Sequence, residues 1–474
     1  MKHPLTLLAF TLAALAAPVV AAPPPAQPNF IVINIDDLGY ADIGPFGSRL
    51  NRTPHLDRMA AEGRTLTSFY AAPVCTPSRA ALMTGSYAKR ALPISGVLFP
   101  GDPIGLSPDE VTVAEVLKSA GYATAIVGKW HLGDQPEFLP NNQGFDLHFG
   151  LPYSNDMGPA GDGVKSNLGD PLPKTTKANQ PPLPLLRNGR VVKRMLPDDQ
   201  QSLVEVYTDE ALAYIAAHPS APFFLYLAHN AVHFPLYPGK KWAGRSPHGL
   251  YSDWVEEVDA GVGRILDALR AQGLAERTLV VFTSDNGGTP RGLNTPFRGH
   301  KGSTWEGGLR VPTLAWWPGQ IPAGSTTPTI AAMFDLLPTF AALAGAKLPT
   351  DRKLDGVNLW PQLTGAAPQS AHETFFYYHG LRLAAVRHGD WKLHLAAPAE
   401  TKKKSGPAGS LQLYNLQTDL AESHNVAAAH PAIVAQLQAL VAIMAADLGL
   451  DGPAAGTRPH GRVENARPII EFDQ

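Results

Sequence analysis

Two short apolar runs, far apart in the chain, both end in acidic residues. Phe30-Ile31-Val32-Ile33-Asn34-Ile35 leads into Asp36-Asp37-Leu38-Gly39, and Thr278-Leu279-Val280-Val281-Phe282 leads into Thr283-Ser284-Asp285-Asn286-Gly287-Gly288. Nearly continuous apolar runs of this length fit strands buried on both faces, as in a parallel α/β sheet. Such sheets place their sites just beyond the carboxyl ends of the strands. If both runs share one sheet, Asp36, Asp37, Asp285 and Asn286 converge there. Adjacent carboxylates repel unless a cation compensates them. Three carboxylates and an amide carbonyl form an all-oxygen shell that suits Ca²⁺ first and Mg²⁺ second. Taken alone, Asp-Asp-x-Gly suits a solvated turn equally well.

Between these runs the chain alternates helix and strand. Helical spacing predicts helices over Thr53–Glu62, opened by a Thr53-Pro54 cap, and over Val111–Ala120, Ser202–Ala217 and Tyr251–Arg270. A further helix is expected over Thr329–Ala344, kinked or broken at Pro338. Ala123–Gly128, Pro222–Ala228 and Val311–Trp316 read as strands. Residues 133–200 read as loop-rich, and the Pro/Gly-rich Gly158–Pro184 stretch suits a specificity loop at the active face or equally a surface excursion with no role. Beyond residue 365, Glu373–His379, Leu383–Leu395 and Leu411–Leu416 read as short antiparallel strands. Ala432–Leu448 then reads as a helix, and a polar, loosely ordered tail follows from Asp451.

The only cysteine, Cys75, lies in Cys75-Thr76-Pro77-Ser78-Arg79. A lone thiol forms no internal disulfide, so it is an inert buried group, a reactive group, or the precursor of one. Pro77 can open a helix, which would put Cys75 at a helix N-terminus whose free N–H groups stabilise an anion. Lys129 and His131 in Gly128-Lys129-Trp130-His131-Leu132-Gly133 are two apart, so in extended chain they point the same way. His229 and His233 have a spacing open to metal binding or to an ordinary loop. Lys301 sits in the glycine-rich Arg298–Gly308 loop, whose backbone can approach an anion closely.

Cys75-x-Pro77-Ser78-Arg79, followed by small residues and Thr84-Gly85, resembles the signature of the sulfatase family, and related phosphonate and phosphodiester hydrolases share much of it. Gly-Lys-Trp-His-Leu-Gly at 128–133 and Lys-Gly-x-x-x-Glu-Gly-Gly at 301–308 match the same family. The resemblance runs from about residue 30 to 450, closest in flavour to arylsulfatase A and N-acetylgalactosamine-6-sulfatase. It implies an α/β fold: a large mixed, mostly parallel sheet flanked by helices (alkaline-phosphatase-like), plus a small C-terminal antiparallel sheet with a helix.

The resemblance also implies that Cys75 is converted to formylglycine by a maturation enzyme, and that the hydrated aldehyde is the nucleophile. Its second hydroxyl then releases the sulfate. Asp36, Asp37, Asp285, Asn286 and the group at position 75 bind the metal. Lys129, His233, Lys301 and Ser154 bind sulfate, and Arg79 fixes the nucleophile. His233 or Lys301 is the general acid, and His131 or Asp285 the base. The expected activity is that of a sulfuric ester hydrolase acting on an organic sulfate ester, with sulfated glycans among the candidates. A phosphodiester or phosphonate hydrolase, or a non-catalytic sulfated-glycan binder, is the alternative.

The 39 basic and 41 acidic side chains leave a net charge of −2, so no global basic field suits nucleic acid. Residues 1–22 combine a short polar start with an apolar run and small residues, an export signal pointing to a bacterial periplasm or the exterior. No later stretch reads as a transmembrane span. The expected organisation is a catalytic domain over 28–365, a C-terminal subdomain over 366–450 and a tail over 451–474.

Overall fold

Every residue of β1 (Asn29–Ile35) is buried. Ile31, Ile33 and Ile35 enter a core on one face, and Phe30 and Val32 a second core on the other. A strand apolar on both faces needs a helical layer on each side, and the computed structural model has that arrangement. It describes residue 25 and residues 27–158, 181–367, 369–396 and 408–469. The expected export signal at 1–22, most of the Gly158–Pro184 loop and the Lys402-Lys403-Lys404 run lie outside the described residues.

In chain order β1 is followed by α1 (Pro54–Glu62), β2 (Arg64–Leu66), α2 (Cys75–Thr84), α3 (Val113–Ser119), β3 (Ala123–Gly128), β4 (Leu147–Gly150), β5 (Leu183–Arg187) and β6 (Arg190–Met195). Then come α4 (Leu203–Ala217), β7 (Phe223–Ala228), α5 (Leu250–Ala271), β8 (Thr278–Ser284), β9 (Thr313–Trp316), β10 (Ser325–Thr327) and α6 (Leu336–Ala344). These strands form one 10-stranded sheet in the order β10-β2-β9-β8-β1-β7-β3-β4-β5-β6. Its central run, β8-β1-β7-β3-β4, is parallel, and antiparallel pairs flank it on both sides. Helices α1, α4 and α5 cover the Ile31 face through Leu56, Tyr207, Trp254 and Ile265. Helices α2, α3 and α6 cover the other through Leu82, Leu117 and Phe340.

The register fixes where the site must be. Ile35 pairs with Ser284, Asn34 with Ala228, and Ala228 with Gly128. The residues that follow these strands, Asp36, Asp285, His229 and Lys129, therefore leave the sheet along one edge. At Gly128 φ is +116°, and a Cβ would lie 1.9 Å from the Ala228 carbonyl oxygen. Only glycine allows β3 to turn Lys129 inward so close to β7.

Several local expectations change. Helix α1 is not capped by Thr53; Asp259 of α5 accepts the backbone N–H groups of His55 and Leu56 at 3.2 and 2.8 Å. Residues 133–200, expected as loop-rich, also contain β4 and the β5–β6 hairpin. That hairpin turns at Asn188 and Gly189, both with positive φ, the geometry of a type I′ turn. Pro338 neither kinks nor breaks a helix: α6 begins at Leu336, so Pro338 lies in its first turn, where no N–H is needed.

The Leu383–Leu395 run divides at Gly389 into two strands. A 4-stranded antiparallel sheet results, in the order β11 (Thr374–His379), β12 (Arg382–His388), β13 (Trp391–Ala396) and β14 (Ala408–Asn415). Helix α7 (Pro431–Leu448) packs Leu437, Val441 and Leu448 into its core. Among the described residues it is the one helix long and apolar enough to cross a membrane. The tail is not loose over its described part. Gly461 and Arg462 pair with Gly105 and Ile104, and the Arg458 Nε donates to Glu110 at 2.6 Å.

Candidate active site

Helix α2 starts at Cys75 with no side-chain cap, and all of its residues are buried. The Ser78 hydroxyl accepts the Ala72 N–H at 2.8 Å and so fixes the turn that leads into Cys75. One turn on, Arg79 points into the site. Its Nε and Nη2 donate to Asp285 Oδ2 at 3.1 and 2.8 Å, and its Nη1 to the Lys129 carbonyl at 2.7 Å. Both side chains of this Arg79–Asp285 pair are fully buried, and Asp36 Oδ2 lies 3.6 Å from Nη2.

The remaining polar groups close around the same point. Lys129 Nζ donates to Asp36 Oδ2 and to Ser154 Oγ. Lys301 Nζ lies 3.5 Å from Cys75 Sγ and pairs with Asp37 Oδ1. Asn286 Nδ2 donates to Asp37 Oδ1 at 2.8 Å. His233 Nδ1–H donates to the Phe234 carbonyl at 2.6 Å, leaving Nε2 to face Asp37 Oδ2 at 3.7 Å. Ser154 Oγ is 3.3 Å from His233 Nδ1. The structure thus brings together Asp36, Asp37, Cys75, Arg79, Lys129, Ser154, His233, Asp285, Asn286 and Lys301. His131 stands behind them, with φ +65° and Nε2 2.9 Å from the Leu98 carbonyl. His229 is buried and held neutral by that burial, its pKa lowered to about 4.

Three carboxylates face three cations, Arg79, Lys129 and Lys301, and burial makes that balance matter. Burial raises the Asp36 carboxyl, but the surrounding cations, led by Lys129, overturn this and hold it well below the usual carboxylate range. Asp285 goes the other way, raised by burial and by its neighbour Asp36. Burial also pushes the Cys75 thiol up to about 11 against Lys129 and Lys301, so the unmodified thiol stays protonated and weakly nucleophilic. Burial holds His131 well below its ordinary value, so it is neutral. Its Nε2–H must then donate to Leu98, which leaves Nδ1 a bare, unpartnered acceptor.

The donor set fits a metal ion. Asp36, Asp37, Cys75 and His233 bring ligand atoms within 4.8 Å of one another. Asp36 Oδ1 and Asn286 Oδ1 are buried with no hydrogen-bond partner. Buried oxygens left unpaired are expensive, and a cation coordinated by both would satisfy them. Carboxylate and amide oxygens favour a hard divalent ion. A supporting residue not singled out from the sequence is Asp42, which accepts the Gly39 and Leu293 N–H groups at 2.6 and 2.9 Å and pins the Asp36-Asp37 loop to the 289–293 loop. Its spacing after Asp36-Asp37-x-Gly is the signal that could have found it.

The sulfatase family pattern matches residues 28–346, and the pattern for the C-terminal region of aryl-sulfatase matches residues 370–454. The chain belongs to the sulfatase family. It is a sulfuric ester hydrolase. Arylsulfatase A of Homo sapiens is 41% identical over 461 residues, covering 90% of this chain and 89% of its own length. N-acetylgalactosamine-6-sulfatase of Canis lupus familiaris is 40% identical over 407 residues, covering 80% of this sulfatase and 74% of its own chain. The structure of Ps i-CgsB in complex with k-i-k-neocarrahexaose superposes with a TM-score of 0.75 at 32% identity, over 88% of this sulfatase and 92% of that chain.

Proposed function

We propose that this sulfatase removes sulfate from a sulfated glycan, using Ca²⁺ and a formylglycine made from Cys75. The observation that carries the reading is the convergence of Cys75, three carboxylates and three cations at one sheet edge, with Lys301 Nζ 3.5 Å from Sγ. The glycan class is supported by the oligosaccharide bound to Ps i-CgsB and by the N-acetylgalactosamine-6-sulfatase relative. Asp36, Asp37, Asp285, Asn286 and the group at position 75 would hold the ion. The ion supplies Lewis acidity toward a sulfate oxygen, and formylglycine supplies a nucleophilic hydroxyl plus a second one for release.

The chain's own residues do the rest. Lys129, Lys301, His233 and Ser154 bind the sulfate oxygens, with charge-assisted donors stabilising the negative charge of the transition state. Arg79 holds Asp285 in place and balances the carboxylates. The base is His131 or Asp285; burial holds His131 low and Asp285 high, which favours Asp285. His233 and Lys301 are partly exposed, at 13% and 18%, and so border the open side where the alcohol leaves. Either can protonate that oxygen. Residues 1–22 fit export to the periplasm or exterior, and Cys75-Thr76-Pro77-Ser78-Arg79 fits recognition by a formylglycine-generating enzyme.

The test is hydrolysis of a chromogenic aryl sulfate beside the matching phosphodiester, in native protein and in Cys75→Ala. Sulfate turnover that disappears in the variant is expected. Phosphodiester turnover exceeding sulfate turnover would move the protein to the sister chemistry. A mass for the Cys75 peptide equal to that of plain cysteine in active enzyme would refute the formylglycine assignment.

A further inference from the structure

A second buried charged cluster joins the two sheets outside the site. Glu306, Lys392, His394 and Glu422 are all fully buried. Lys392 and His394 are two apart on β13 and so share a face. Lys392 Nζ donates to Glu306 Oε1 and to the Thr304 carbonyl, each at 2.9 Å, and lies 2.9 Å from Glu422 Oε1. Glu422 Oε2 accepts the Glu306 backbone N–H at 2.7 Å, and Oε1 is 2.7 Å from His394 Nε2. The Tyr377 hydroxyl donates to Glu306 Oε1 at 2.7 Å. Glu422 itself holds φ +51°, a strained conformation for a side-chain-bearing residue that its surroundings must enforce.

Lys392, Glu422 and Tyr377 each bond to Thr304 or Glu306, at the base of the loop whose tip carries Lys301. The loop is closed by the Gly307 N–H on the Arg298 carbonyl at 2.8 Å, and its tip meets the site through the Gly302 N–H on the Pro73 carbonyl at 2.8 Å. Gly299 and Gly302 both take positive φ; the Ser303 hydroxyl donates to the His300 carbonyl at 2.8 Å and holds the turn of the tip, while the base sets where that turn stands. Joining two sheets with apolar side chains would avoid the desolvation of so many charges. Directional, charge-assisted bonds supply what apolar packing cannot, a single geometry for named backbone atoms.

We infer that Lys392, from the C-terminal sheet, and Glu422, from the loop that follows its last strand, are positioning residues for Lys301, acting through the 299–306 loop. Neither touches the sulfate site. The inference rests on the proposed role of Lys301 in sulfate binding.

A double-mutant cycle on the full-length protein tests it, with Glu422→Gln, Lys301→Ala and the pair. The readouts are the Kd for inorganic sulfate by titration calorimetry, and kcat and KM on an aryl sulfate. Glu422→Gln is expected to weaken sulfate binding and lower kcat by about tenfold, because small misplacements of a binding group are amplified in rate. In the Lys301→Ala background the same change should add less than about twofold, since coupled residues are non-additive. Equal losses in both backgrounds would overturn the inference and leave Glu422 a fold-stabilising residue. Full sulfate affinity and turnover in Lys301→Ala alone would instead overturn the sulfate-binding role of Lys301, and the inference with it. Should Glu422→Gln fail to fold, Tyr377→Phe removes one bond to Glu306 and keeps the ring; the same cycle then applies, and additivity there is equally decisive against the inference.

Discussion

Arg79 Nη2 lies 2.8 Å from Asp285 Oδ2, with both side chains fully buried, and 3.6 Å from Asp36 Oδ2. Removing the cation would strand two carboxylates in a dry site. Arg79→Met is expected to destabilise the protein by about 3–5 kcal/mol, the range for breaking a buried pair from one side. Urea unfolding measures this. Arg79→Lys should restore only part, because a point charge cannot serve Asp285 and the Lys129 carbonyl together. Wild-type stability in Arg79→Met would contradict the role given to this pair.

Cys75 provides the sharpest activity test. Cys75→Ala is expected to lower sulfate ester turnover by at least about 10³-fold, as loss of a nucleophile does. The melting temperature should move by only a few degrees, because the change removes a single small buried group, worth about 1 kcal/mol. Substantial turnover by the variant would remove position 75 from the chemistry.

Metal removal should act on stability as well as rate. Asp36 Oδ1 and Asn286 Oδ1 have no protein partner. Dialysis against a chelator is therefore expected to lower both the melting temperature and activity, and added Ca²⁺ should restore both better than Mg²⁺. In Asn286→Leu the Ca²⁺-dependent rise in melting temperature should shrink. Scanning calorimetry with and without the ion reads this directly; no response to either cation would exclude the proposed site.

Glu257 gives a prediction for pH. It is buried on α5, its Oε2 accepts the Gly239 N–H at 2.7 Å, and burial raises its pKa from 4.5 to about 8. The folded state thus holds a proton that the unfolded chain gives up near pH 4.5. The contribution to stability is complete below the unfolded value and declines as pH rises through the window up to about 8. Glu257→Gln keeps an acceptor for Gly239 and carries no titration, so its unfolding free energy should vary less with pH across that window. Identical pH profiles for parent and variant would count against it.

Gly128→Ala tests the edge at which the site is built. The added methyl would meet the Ala228 carbonyl at 1.9 Å, in a backbone conformation that disfavours side chains. A loss of about 2–4 kcal/mol is expected, with weaker sulfate binding as Lys129 is displaced. Equilibrium unfolding and sulfate titration check the two parts separately.

The central strands were legible because their apolar runs are local and continuous, and the acids that end them stand beside one another once the register is set. The cap of α1 was not, because Asp259 reaches it from a distant helix, which no local pattern encodes. The β5–β6 hairpin is a different case: Asn188-Gly189 is a strong local turn signal, masked by the proline-rich residues before it. Pro338 shows how the same residue reads as a breaker or an opener depending on a boundary two residues away. Lys129, His131, Ser154, His233 and Lys301 carried weak signals alone and became specific through family resemblance. Glu422 and Lys392 had no signal at all, since their meaning lies in Glu306, which they meet only after folding.

The order of the chain also sets a clock. Asn286 donates to Asp37 across 249 positions, and Lys301 reaches Cys75 across 226. At a synthesis rate of about 5–20 residues per second, Cys75 leaves the ribosome roughly 10 to 50 seconds before Lys301 is made. The sheet edge cannot close over it in that interval, because half of its wall has not been translated. The thiol that is sealed in the finished protein is thus openly presented while the protein is being made, and any agent that modifies it has its access then.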